Sequence, residues 1–400
     1  MPALLKKYKN VILYIATILL SSACLITGGI WARYVPQEAG EENSMQATAV
    51  VKEILDVKNE SYQLSGEQGT FDTKIIAFRA FITSGELSDT TVTAFQQQDN
   101  LLAGGAKDVE TGDKVLIDYL KTGDSDTEEW IFIEYHRSSA LIWLCVVFFA
   151  LLIVFGRKKG IDTIVSLVLT ILAVFVFFIP SILSGKNVYV TSIITCIFAI
   201  IATHLIITGA HKKTVCAVAG CVGGLAVTGI LTFAMSGIMH LTGVVDEQST
   251  FLVTMNSHID LKAIIFGAIL VGALGAVMDV SMSLASSLFE VSEHMGDRRN
   301  PKELVRSGMN IGRDIMGTMA NTLILAYIGS SLSVVLLLAA NNNSLLTLFN
   351  IETVVVEVLQ ALVGSLGILS TIPITSLLAA YIYTRNKSGK KPKKERLRKA

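Results

Sequence analysis

The chain has 400 residues, of which 52% are hydrophobic and only 16% charged, with a mean hydropathy of +0.57. That is too little charge to cover the surface of a soluble protein this size, so the chain belongs in lipid. Its 33 basic and 33 acidic residues cancel, which excludes the global positive field that would argue for a nucleic-acid partner.

Eight stretches reach the roughly 20 apolar residues that a helix needs to cross a hydrocarbon layer about 30 Å thick. They run from Val11 to Trp31, Ser139 to Gly156, Ile161 to Leu183, Val188 to Gly209, Thr214 to Leu241, Leu261 to Phe289, Arg313 to Ala340 and Val354 to Thr384. The first reads as a span, with a cleaved signal peptide as the alternative. Ser21 stands where a lipoprotein-type cleavage site wants Leu or Val, and the apolar run continues past Cys24. The five cysteines, Cys24, Cys145, Cys196, Cys216 and Cys221, all lie in apolar stretches and read as small apolar fillers.

After the first span the pattern changes. Short β-favouring runs at Ala47 to Ile54, Thr73 to Phe81, Thr90 to Phe95, Lys114 to Tyr119 and Trp130 to Tyr135 are separated by turn-formers such as Ser65-Gly66 and Gly104-Gly105, which predicts a small antiparallel barrel or sandwich of about five strands. Thr111-Gly112-Asp113-Lys114-Val115 resembles the turn before a strand in oligonucleotide-binding-type barrels. No aromatic residues sit on a basic groove, so nucleic-acid binding is not inferred. Asp124, Asp126, Glu128 and Glu129 read as a solvated hairpin tip, with cation chelation as the alternative.

Basic residues set the orientation. Lys6, Lys7 and Lys9 precede the first span, Arg157 to Lys159 follow the second, Lys212 and Lys213 follow the fourth, Arg298, Arg299, Lys302 and Arg306 lie between the sixth and seventh, and the tail from Arg385 to Lys399 is densely basic. In an eight-span count all of these fall on one side, so both termini are expected in the cytoplasm and residues 35–137 outside.

An ionisable side chain inside the membrane is a functional candidate by default. In the sixth span Gly272, Gly275, Asp279, Ser283 and Ser286 share one helical face, with Glu290 further along it. Such a face admits close helix contact, and Asp279 either locks two helices through a hydrogen bond or serves a polar path. In the seventh span Asn310, Asp314, Gly317, Thr318 and Asn321 again share a face. Asn300-Pro301-Lys302-Glu303 reads as the start of a cytoplasmic helix leading into that span, with Gly308 and Gly312 as bends. Two facing carboxylates among Ser, Thr and Asn oxygens would suit a hard cation or a proton relay. These residue types do not name a metal, and no cofactor is expected. Gly220, Gly223 and Gly224 in the fifth span read as helix-packing positions. Pro373 is expected to kink the last span, and His204 and His240 read as interfacial. Neither His-Glu-x-x-His, Gly-x-Ser-x-Gly, a phosphate loop nor Cys-x-x-Cys occurs, so an enzyme is not expected.

Two segments, Gly272-Ala-Leu-Gly-Ala-Val-Met-Asp279-Val-Ser-Met-Ser-Leu-Ala-Ser286 and Gly312-Arg-Asp-Ile-Met-Gly-Thr-Met-Ala-Asn321-Thr-Leu-Ile-Leu-Ala-Tyr327, closely resemble signature stretches of the YibE/F-like family of bacterial multipass membrane proteins. The resemblance implies placement and topology, including a β-rich outer domain after the first span, and assigns no substrate.

The expected architecture is an α-helical polytopic membrane protein of about eight spans with a small extracytoplasmic all-β domain. Residues 1–34 form the N-terminus and first helix, 35–137 the β-rich domain, 138–384 seven further helices and 385–400 the basic tail. The expected function is permease-like. A small cation or proton-coupled solute would move along Asp279, Ser283, Asp314, Thr318 and Asn321, with Gly220, Gly224, Gly272 and Gly275 packing helices. The expected surroundings are the lipid bilayer of the plasma membrane and a membrane or envelope protein partner. The alternative is a non-transporting sensor or assembly component that acts through the outer domain.

Overall fold

A computed structural model describes residues 2–33, 45–63, 70–85, 87–99, 107–121, 128–255, 258–296, 300–340 and 344–384. The turns at Ser65-Gly66 and Gly104-Gly105, Asp124 and Asp126 of the acidic cluster, Arg298, Arg299 and the basic tail lie outside them. The described residues form two compact units, one from the strands and the first part of the following helix, the other from the remaining helices.

The first unit contains β1 (Met45–Gln63), β2 (Thr70–Ile82), β3 (Thr91–Asp99), β4 (Lys114–Lys121) and β5 (Glu128–Tyr135). They close a barrel in the order β1-β2-β3-β5-β4, a five-stranded Greek-key arrangement. Every pairing is antiparallel except β3 with β5. Alternate residues point inward, so Ala47, Ala49 and Val51 of β1 meet Phe78, Ala80 and Ile82 of β2 in the core with Ile117 and Trp130. Closure needs β1 to bend between its two neighbours, and register shifts at Val51/Glu53 and Ile54/Asp56 allow it. The Thr111-Gly112-Asp113 turn docks against the same point. Gly112 N donates to Val51 O at 2.8 Å and Val51 N to Asp113 O at 2.9 Å. Gly112 has φ +96°, a conformation that L side chains rarely adopt.

The helices are α1 (Pro2–Trp31), α2 (Ser138–Gly156), α3 (Lys158–Leu172), a π-helical stretch Ala173–Phe178 continuing into α4 (Ile179–Leu183), α5 (Val188–Thr208), α6 (Lys212–Ile238), α7 (Glu247–Met255), α8 (Leu261–His294), α9 (Pro301–Ser330), α10 (Leu332–Ala340), α11 (Leu345–Leu348) and α12 (Glu352–Thr384). Seven helices among the described residues are long and apolar enough to cross a membrane: Val11–Trp31, Ser138–Gly156, Lys158–Leu183, Val188–Thr208, Lys212–Ile238, Leu261–His294 and Glu352–Thr384. The predicted seventh span is built differently. Its helix starts at Pro301, capped by Asn300 Oδ1 accepting from Lys302 N at 3.1 Å, and it stops at Ser330, so the apolar run to Ala340 belongs to a separate helix. Pro373 lies inside α12 without ending it.

The core of the helical unit is made by α5, α6, α8, α9 and α12, with Cys196, Ala199, Cys216, Ala217, Cys221, Leu225, Leu284, Leu288, Leu304, Ile368, Ile372 and Tyr383 all buried. The tightest seam joins α6 to α12. A methyl group on Gly220 would overlap Thr375 Oγ1, one on Gly224 would overlap Thr371 Oγ1, and one on Gly367 would overlap Thr228 Oγ1. Small residues of one helix thus receive the hydroxyls of the other. Thr228 Oγ1 donates to Gly224 O at 3.1 Å and Thr371 Oγ1 to Gly367 O at 2.8 Å, so each of these hydroxyls is satisfied by its own helix. At one end of the seam the Glu352 carboxylate accepts from Thr242 N at 2.7 Å, Gly243 N at 2.6 Å and Thr242 Oγ1 at 2.7 Å, and Thr353 Oγ1 donates to Val245 O.

Candidate functional site

The course of α9 fixes the geometry of the two polar stripes. Gly308 abuts Ser376 of α12 and Leu288 of α8, Gly312 abuts Ile372, Leu323 abuts Gly364 and Tyr327 abuts Gly272. Numbers rise along α9 as they fall along the other two, so α9 runs antiparallel to both. From Gly308 to Tyr327 it advances about 28 Å at 1.5 Å per residue, close to the thickness of the hydrocarbon layer. Gly308 and Gly312, expected as bends, are contact points: a side chain at either would strike α12.

This register places Asp279 at the depth of Thr318 and Ser283 at the depth of Asp314, about one helical turn away. The stripes therefore match in height. They are not packed against each other. Gly272, Gly275, Asp279 and Ser283 are exposed on α8, as are Asn310, Asp314, Gly317, Thr318 and Asn321 on α9, while the opposite face of α8 buries Ala273, Leu274, Val277, Leu284 and Leu288. Gly272 has Tyr327 Oη 2.5 Å and Gln360 Nε2 3.2 Å from where a Cβ would stand, whereas neither Gly275 nor Gly317 has any such atom within 4 Å. Gly275 thus receives no helix among the described residues.

Chemically, this face is rich in oxygen and lacks internal partners. Thr318 Oγ1 donates to Ile315 O at 2.9 Å and Thr322 Oγ1 to Thr318 O at 2.8 Å. No described residue bonds or ion-pairs with Asp279, Asn310, Arg313, Asp314 or Asn321. Asp279 and Asp314 do not share a closed pair, and no cluster of three metal-ligating side chains occurs among the described residues.

Three residues escaped the sequence reading. Tyr327 and Gln360 converge at Gly272 at one end of the α8 stripe, and Glu357 lies on the same face of α12 as Gln360, three residues earlier. The signal was present, since Glu357 and Gln360 interrupt an apolar span. His204, four residues from the end of α5, is 1% exposed, and neither ring nitrogen has a partner among the described residues. His240 is exposed.

Residues 144–385 match the family described as YibE/F-like protein. The match covers more than half of the chain and both polar stripes; the barrel lies outside it. No curated protein and no solved structure matches the chain.

Proposed function

The chain belongs to the YibE/F-like family, and from that premise we propose that it is a permease-like protein of the plasma membrane, carrying a small cation or a proton-coupled solute along the faces of α8 and α9. Both termini are in the cytoplasm and the barrel is outside, because the basic short loops fall on one side of an eight-span count in which α9 is the polar member. One observation carries the reading: Asp279 and Asp314 stand on depth-matched stripes of two full-length helices, unpartnered among the described residues. Carboxylates at such a depth are retained where water or a cation meets them. Asp279, Asp314, Ser283, Thr318 and Asn321 supply the hard oxygen ligands that a cation exchanges for its hydration shell.

The test is flux in reconstituted vesicles across a panel of monovalent and divalent cations with a lumenal pH probe. Wild type should move at least one of them. Asp279→Asn, which keeps size and hydrogen-bonding capacity but removes the charge, should abolish that flux while leaving the thermal transition unchanged. Full flux in Asp279→Asn would leave the carboxylate as a packing group.

A second reading has its own support. The barrel bears a groove of about 330 Å³ lined by Asp56, Lys58, Ile75, Phe95, Gln97 and Glu129, a mixed polar and apolar surface that fits an envelope ligand and a sensing role. A barrel ligand that left the protease accessibility of the membrane helices unchanged would count against it.

A further inference from the structure

We propose that a second copy of this chain covers the exposed α8–α9 face and closes the polar path between the two copies. The inference rests on the reading above in one respect, that the enclosed space is the route. Its first support is the cost of leaving the face to lipid: Asp279, Asn310, Asp314 and Asn321 have no partner among the described residues, and hydrocarbon offers them none.

The second support is charge complementarity of the face with itself. Two copies inserted in the same orientation can be related only by a twofold axis along the membrane normal, which brings every residue to the depth of its own counterpart. Arg313 and Asp314 are adjacent on α9, both exposed, and neither is ion-paired among the described residues. Across such an axis Arg313 of each copy meets Asp314 of the other, two ion pairs from two adjacent sequence positions, each leaving one carboxylate oxygen of Asp314 for the route. Asn321 meets Asn321, an amide that both donates and accepts. Gly275 and Gly317, with open space where a Cβ would be, let two backbones approach. Asp279 then faces inward from both sides, one turn away from the ion pairs.

The test uses the full chain in membranes, with the five native cysteines replaced. Gly317→Cys, and independently Asn321→Cys, should give a disulfide-linked species of twice the chain mass on oxidation. Ile230→Cys, at a site on α6 that is 68% exposed, should not. Adding Arg313→Glu should abolish the link, and combining it with Asp314→Arg should restore it, because the swapped pair is again complementary. Equal linking at Ile230, absence of linking at both α9 positions in folded protein, a linked species of another mass, or failure of the charge swap to rescue would each overturn the proposal. A linked pair that carries no flux would refute the transport reading and leave the pairing intact. Flux from vesicles holding single copies would refute the pairing alone.

Discussion

Along α6, Gly220, Gly224 and Thr228 recur every four residues; along α8, Gly272, Gly275, Asp279 and Ser283 recur at nearly the same interval. The first row is sealed against Thr375, Thr371 and Gly367 of α12, and the second is exposed for most of its length. What separates them is the opposing helix. Gly367, Thr371 and Thr375 repeat the small-and-hydroxyl pattern in a complementary phase, and each of the Thr228 and Thr371 hydroxyls bonds its own backbone. A carboxylate cannot be satisfied in that way, so the row that contains Asp279 has to find water, an ion or another chain. Spacing identifies a continuous helical face; the chemistry of its least satisfiable member decides whether a helix of the same chain will cover it.

Substitutions should separate the two rows sharply. Gly224→Leu drives a branched side chain into Thr371 and should destabilise the protein by about 3 kcal/mol or more, measured as a lowered midpoint in detergent. Gly275→Leu should leave the midpoint of detergent-dispersed single copies within about 0.5 kcal/mol, as a surface change does. A comparable loss in both would mean that α8 is covered from within. A finer cut removes hydroxyls at constant shape. Thr371→Val should cost no more than about 1 kcal/mol, because the Gly367 carbonyl keeps its helical bond from Thr371 N and only the second bond, from the hydroxyl, is lost. The smallest expected effect is for Thr318→Val, whose hydroxyl also bonds its own helix but on the open face: below about 0.5 kcal/mol in stability, with a measurable drop in flux.

Much of this was legible in advance. The apolar helices follow from hydropathy because lipid imposes length and polarity on each span separately. The five strands follow from local alternation, and the Thr111-Gly112-Asp113 turn was marked by a residue pair suited to positive φ. The limits of α9 were misjudged where hydropathy was set against capping. Asn300 and Pro301 announced a helix start, yet the span was begun at Arg313 because polar residues precede it, and Gly308 and Gly312 were read as bends without their contacts with α12 being foreseen. A single chain carries no local mark that distinguishes a glycine that bends a helix from one that admits a neighbour. The burial of His204 was not legible, because nearness to a helix end in sequence says nothing about which neighbouring helices extend past it. Glu357 and Gln360 were overlooked although they broke an apolar run, since attention went to the stripes with carboxylates on small-residue faces.

The Glu352 carboxylate, holding two backbone amides and a hydroxyl of the segment that follows α6, has a mechanical consequence. With that knot at one end and interlocked glycines and threonines along their length, α6 and α12 move together as one stiff plate. Any rearrangement that opened the proposed route to either side of the bilayer would then carry α6 and α12 as one body, and with them the contacts that Gly308 and Gly312 of α9 make with α12.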